Sequence, residues 1–233
     1  MMSIPTESEF LLLIADISGY TRFMMTNHTA RVHAHGIISD LISAVIAEVQ
    51  IPLEVNKLEG DAIFMIAARQ ERDWGSIGSE IGRRLADFIA AFDRKLTALA
   101  TSNICECIAC QQMVTLRLKV IGHYGTAIRS RVSGFDELSG VDVIVLHRLL
   151  KNEVQGSEYI LLTEPAFRFL SPPGDYLPHL EHYDDVGDIP LHLRSLKAQV
   201  PAAAPRRFSI ADIGRKLSYD IRYLMSRRKH PAR

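Results

Sequence analysis

The segment Phe10 to Ile17, FLLLIADI, constrains this chain more than any other. An unbroken apolar row leaves no polar side for water, so the run predicts a short strand buried at the centre of a sheet. It carries a carboxylate, Asp16, near its end and stops at Ser18-Gly19. With 47% hydrophobic residues in 233, the chain has enough apolar material for one domain with a continuous core and a tail.

Beyond this strand, apolar residues recur at helical spacing from Thr21 to Glu48 (Ile37, Ile38, Leu41, Ile42, Val45), with breaks expected at Asn27 and Gly36. Pro52–Lys57 and Ala62–Ala68 are β-rich runs joined by Leu58-Glu59-Gly60-Asp61, which reads as a hairpin with Asp61 at its tip. A long amphipathic helix follows from Ile77 to Leu99. Val114 to Ile121 alternates as a strand does, and the continuation through Gly122 and Gly125 to Ile128 predicts a hairpin or bulge. Gly140–Leu150 reads as a helix, Tyr159–Leu162 as a strand and Glu164–Leu170 as a short helix. Tyr176–His182 with Pro190–Leu196 reads as a closing hairpin.

This order predicts an α+β, ferredoxin-like fold in which helices cover one face of an antiparallel sheet. Residues 1–200 form the expected domain. Residues 201–233 are expected to be a linker (Ala202-Ala203-Ala204-Pro205) and a basic amphipathic tail helix from Phe208 to Met225.

Lys+Arg and Asp+Glu both count 27, but the tail from Arg206 to Arg233 has nine basic residues against Asp212 and Asp220. The balanced total gives no signal for nucleic acid. The tail's basic, one-sided helix suits an anionic membrane surface, a protein partner or the domain itself. No stretch is apolar enough to span a bilayer, and the start lacks a basic-then-apolar leader, so a cytoplasmic location is expected. Three cysteines within six residues make a poor disulfide framework and fit a reducing compartment.

In the predicted layout the first strand and the tip of the following hairpin are neighbours, which brings Asp16 near Asp61. Two carboxylates at adjacent strand ends can share hard cations such as Mg²⁺, which take their other ligands from water and substrate phosphate. Equally, Gly60-Asp61 is an ordinary turn that needs no metal.

Leu12-Leu13-Ile14-Ala15-Asp16-Ile17-Ser18-Gly19-Tyr20-Thr21 resembles the first metal-binding segment of class III adenylyl and guanylyl cyclases, F-x-A-D-I-x-G-F/Y-T. Lys57-Leu58-Glu59-Gly60-Asp61 resembles their K-x-x-G-D hairpin. Lys119-Val120-Ile121-Gly122-His123-Tyr124-Gly125 is similar to their R-x-G-I-H-x-G strand, and Gly140 to Arg148 to a G-x-x-V-N-x-A-x-R helix. The phrase from Gly140 to Asn152 with the upstream cysteines resembles a divergent bacterial branch of cyclase-related domains.

The resemblance implies two Mg²⁺ or Mn²⁺ ions held by Asp16, Asp61 and the backbone carbonyl of Ile17, and a homodimer, since in the family the lysine and arginine come from the other subunit. It implies Lys57 as the base-contacting residue, which leans toward ATP, and Glu137, or Asp136 with a one-residue slip, as the partner that reads the adenine amino group. Arg148 corresponds to the arginine that stabilises charge on the transferred phosphorus. Two departures stand out: Ile144 replaces the family's ribose-orienting Asn, and no Lys occurs near Val186-Gly187-Asp188-Ile189, where the family grips the triphosphate. Arg129 or Arg131 could supply charge instead.

Cys105, Cys107 and Cys110 offer three soft thiolates; tetrahedral Zn²⁺ would need a fourth ligand, from His123 or a second subunit, and otherwise they are reduced cysteines in a loop. His28, His33 and His35 lack the i, i+4 pattern of a zinc helix and read as surface or packing residues. No G-x-x-x-x-G-K-S/T loop is present, which disfavours an ordinary nucleotide hydrolase. The expected function is therefore metal-dependent cyclisation of ATP to 3′,5′-cyclic AMP, with an inactive nucleotide- or protein-binding domain as the alternative.

Overall fold

Both faces of the first strand are covered, which is why its sequence is apolar without alternation. The structure, a computed structural model, describes residues 7–27, 30–70, 73–102 and 107–196. Strand β1 (Glu7–Ser18) lies between β3 (Ala62–Ala68) and β4 (Arg117–Val132), antiparallel to both. Leu11, Leu13, Ala15 and Ile17 face one core, and Phe10, Leu12 and Ile14 face another. Each Leu, Ile or Phe among them contributes about 1.5–3 kcal/mol on burial.

The sheet runs β2 (Glu54–Glu59), β3, β1, β4, β6 (Tyr159–Thr163), β8 (Gly187–Ser195), β7 (Leu177–Tyr183), with β5 (Phe135–Ser139) paired to β4. Among the described residues only β4 and β6 run parallel; the other pairs are antiparallel. The architecture is the expected α+β one, with a correction. Helices α1 (Tyr20–Thr26), α2 (Arg31–Ile46), α3 (Trp74–Ser102), α4 (Ile108–Gln112) and α6 (Glu164–Leu170) contribute to the first core. Helix α5 (Val141–Leu149) instead packs on the opposite face through Val145, Leu146 and Leu149. The apolar seam of α5 matches Leu12 and Ile14, which would otherwise face water.

Asn27 ends α1 as expected, its side-chain Nδ2 donating to the Phe23 carbonyl at 2.7 Å. Gly36 does not break α2, since a helix packed on Leu41 and Val45 tolerates one glycine. Strand β4 passes straight through Gly122 and Gly125. A Cβ at Gly122 would meet the Leu162 and Leu13 side chains at 2.6 and 2.9 Å, so this glycine makes room for packing and not for a turn. The turn comes later, at Ser133-Gly134, where both residues have positive φ (51° and 94°) as tight hairpins require. Strand β5 and helix α4 are additions to the expected elements. No helix among the described residues is long and apolar enough to cross a membrane. The expected tail helix and the boundary at 200 lie outside the described residues.

Candidate active site

Register brings the two acids together. Asp16 pairs with Ala62 across β1 and β3, so the residue before Ala62, Asp61 in the β2–β3 turn, stands beside it. Gly60 makes the turn with φ 69° and has open space around it. Burial first, and then the Asp16 charge, push Asp61 up from 3.8 to about 7, against the lowering pull of its backbone hydrogen bond and of Lys119. The Ile17 side chain is buried in the adjoining core.

Lys119 is an addition to the expected site. It sits opposite Asp16 in the β1–β4 register, with Nζ 3.1 Å from the Asp16 carboxylate and 3.0 Å from the Leu150 carbonyl at the end of α5. A charged group so enclosed is tolerated because both its partners are oxygen acceptors. Its sequence match to the family's Arg position is visible, but its place depends on pairing between distant segments.

A second group of charges begins at Lys57 in β2. Its Nζ lies 3.3 Å from Glu137 in β5 and 3.5 Å from Glu59. His147 of α5 reaches the same Glu59 through Nε2 at 2.9 Å, while its Nδ1 lies 2.8 Å from the Val143 carbonyl. These two contacts hold the imidazole between its own helix and β2. Glu59 thus ties β2 to α5 two residues before Asp61. Asp136, the alternative to Glu137, pairs across the hairpin with Arg131 and is exposed.

Arg148, at the end of α5, forms an ion pair with Asp185 in the β7–β8 turn. Ile144, one turn earlier, is 53% exposed. Arg129 pairs with Glu54 at 3.1 Å on the sheet edge. No lysine lies in the β7–β8 turn, and the cations described near it are Arg148 and His182, whose Nδ1 is 2.6 Å from Asp188.

The cysteine cluster is separate. Cys107 and Cys110 flank the start of α4, and the imidazole beside them is that of His33, with Nδ1 3.5 Å from Cys107 Sγ. His123, the residue expected to complete that cluster, is instead buried between Thr163 and Asp142, at 2.9 and 3.0 Å. Cys105 and His28 lie outside the described residues.

Residues 38–159 match the model of a family described as a protein of unknown function (DUF2652). The chain belongs to this family. The matched span includes Lys57, Asp61, Glu137 and Arg148, and begins after Asp16. This DUF2652 chain is also 30% identical over 156 residues to "Uncharacterized protein Rv2561/Rv2562" of Mycobacterium tuberculosis, covering 66% of the chain and 71% of that protein.

Its fold is that of class III adenylyl and guanylyl cyclase domains. The adenylyl cyclase CyaB from P. aeruginosa superposes with a TM-score of 0.59 at 8% identity, covering 83% of this chain and 97% of that one. A bacterial light-regulated adenylyl cyclase gives 0.59 at 14% identity over 85% of this chain, which spans 55% of that larger protein. A class III adenylyl cyclase-like ATP-binding protein from Pseudomonas aeruginosa gives 0.58 at 15% identity, covering 72% and 36%.

Proposed function

We propose that this DUF2652 chain is a divalent-cation-dependent nucleotidyl cyclase that converts ATP to 3′,5′-cyclic AMP and pyrophosphate. The observation that carries the reading is the Asp16–Asp61 pair, half-buried at one sheet end and pushed toward sharing a proton. Two acids held this close lack positive charge even with Lys119 beside them. The donors are all hard oxygens, so they fit Mg²⁺ or Mn²⁺, held by Asp16, Asp61 and the Ile17 carbonyl. Such ions, when bound, neutralise triphosphate charge and lower the pKa of the attacking hydroxyl.

The chain's own residues divide the remaining work. Lys57 donates to the adenine ring and Glu137 accepts from its amino group; their 3.3 Å contact holds both at one spot and favours Glu137 over Asp136. Arg148 stabilises the charge that develops on the α-phosphoryl oxygens, a task suited to a permanently charged, forked donor. The ribose 3′-oxygen forms its bond to the α-phosphorus, the α–β bridging P–O bond breaks, pyrophosphate leaves with the bonding pair, and the 3′-hydroxyl proton is released. By its likeness to the cyclases the chain acts as a homodimer, with the acids of one copy facing Lys57, Glu137 and Arg148 of the other.

A second reading has its own observation. Exposed Ile144 stands where the cyclases orient the ribose with Asn, and the β7–β8 turn has no Lys. A domain so altered binds nucleotide without turning it over, and one of the structural neighbours is a cyclase-like ATP-binding protein. The two readings separate in one assay: purified protein with Mn²⁺ and each of ATP, GTP, CTP and UTP, scored for 3′,5′-cyclic product. Cyclic AMP lost in Asp16→Ala and Asp61→Ala supports turnover. Binding of ATP with no product from any nucleotide supports the second reading.

A further inference from the structure

Away from the nucleotide site, two thiols and an imidazole converge from separate elements. Cys107 sits just before α4 in extended conformation and Cys110 lies within that helix. This Cys-x-x-Cys spacing brings both sulfurs to one side within a single turn. His33 comes from the first turn of α2, 74 positions earlier than Cys107. The three donor atoms all lie within 4.8 Å of one another, and all three residues are half-buried.

These distances are those of a metal site before it closes. With Zn–S near 2.3 Å and Zn–N near 2.0 Å, a tetrahedral ion sets S···N edges of about 3.5 Å and S···S edges of about 3.8 Å. Cys107 Sγ and His33 Nδ1 are already 3.5 Å apart. The remaining separations, none above 4.8 Å, need to close by no more than about 1.3 Å. Half-burial gives the ion a way in while shielding its ligands.

We propose that His33, Cys107 and Cys110 bind one Zn²⁺ ion per chain. Two thiolates and one neutral imidazole are a borderline-soft donor set, which selects zinc over the Mg²⁺ or Mn²⁺ suited to Asp16 and Asp61. The fourth tetrahedral position goes to water. Binding deprotonates the thiols and ties the start of α2 to α4, two elements that both pack against α1. Because α1 begins two residues after the last residue of β1, the ion braces the segment that leaves Asp16. The site stands independently of the cyclase reading and survives if that reading fails.

The full chain, produced with zinc in the medium and purified under reductant, is expected to retain one zinc per chain by elemental analysis. Exchange for Co²⁺ should give sulfur-to-metal charge-transfer absorption in the near-ultraviolet and the visible bands of a tetrahedral ion. Cys107→Ser and Cys110→Ser should each weaken the charge-transfer signal. His33→Cys should keep the metal and strengthen the signal, since it adds a thiolate, a gain that a packing role for His33 cannot produce. Folded protein that takes up no stoichiometric zinc under reductant would overturn the proposal. So would a Co²⁺ spectrum indifferent to His33→Cys, or a Cys107–Cys110 disulfide in protein that binds no zinc after reduction.

Discussion

Lys119 Nζ lies 3.1 Å from the carboxylate of Asp16, beside which the β1–β3 register places Asp61, so one ammonium already serves a pair of acids. Its side chain is 14% exposed and that of Asp16 18%, which keeps the interaction from being screened away. Lys119→Ala is therefore expected to lower the stability of the cation-free protein by about 1.5–3 kcal/mol, the range for a hydrogen bond to a charged group. Divalent cation should then restore more stability to the variant than to the wild type, because it supplies the charge the lysine no longer provides. Thermal melts of both proteins with and without Mn²⁺ test this; an equal shift in the two would refute it.

Lys57 separates a structural role from a binding one. Its contacts with Glu137 and Glu59 are partly exposed, and pairs of that kind contribute about 0–1 kcal/mol. Lys57→Ala should leave the melting temperature nearly unchanged while weakening ATP binding, measured by calorimetry, by about tenfold, as loss of one charge-assisted hydrogen bond does. Lys57→Glu should do worse, since it confronts two existing carboxylates. Undiminished ATP affinity in Lys57→Ala would remove this residue from the nucleotide site.

The legible part of the site was the part written locally. An apolar run that ends in Asp16 and a Gly-Asp turn are short-range signals, and the β1–β3 register that joins them follows from their adjacency in the chain's layout. Lys119 was hidden because its position opposite Asp16 depends on β1 pairing with a strand about a hundred residues away. Gly122 and Gly125 misled in the opposite direction. Local propensity assigns them to a turn, whereas the Leu162 and Leu13 side chains fill the space over Gly122 and the Asp142 carboxylate the space over Gly125. His33 carries no local signal, because a zinc helix announces itself as paired histidines on one helix, and here the donors come from two separate elements.

Arg148 is held by Asp185 on an exposed surface, so neither residue contributes much to folding. If Arg148 stabilises the transferring phosphoryl group, Arg148→Ala should lower kcat by about 10²–10³, as removal of one transition-state donor does, with a smaller change in KM. Asp185→Asn should leave kcat at least as high as the wild type, because it frees the guanidinium. Steady-state rates of cyclic product formation decide the point: equal losses in the two variants would mean that the ion pair itself, and not the arginine, is what turnover needs.

Glu158 supplies a pH dependence unrelated to the Asp16–Asp61 pair. It is buried beside Arg117, whose Nε is 3.7 Å from Oε2, and that oxygen accepts no hydrogen bond from the described residues. Burial, with Asp93 nearby, raises its carboxyl from 4.5 to about 7 despite Arg117. An acid raised on folding binds its proton more tightly in the native than in the unfolded chain, so its stabilising contribution is fully present below about pH 4.5. That contribution is lost as pH rises through about 7. Glu158→Gln keeps the shape and removes the titration. It should therefore flatten the fall in stability between pH 5 and 8 and melt higher than the wild type at pH 8, by about 2–4 °C for each kcal/mol recovered. Arg117 remains satisfied in the variant, since its Nη1 donates to the carbonyls of Val114 and Leu116 at 2.7 and 2.6 Å. Urea titrations of both proteins across that pH range measure the slope directly, and parallel curves would show that Glu158 stays ionised in the folded chain.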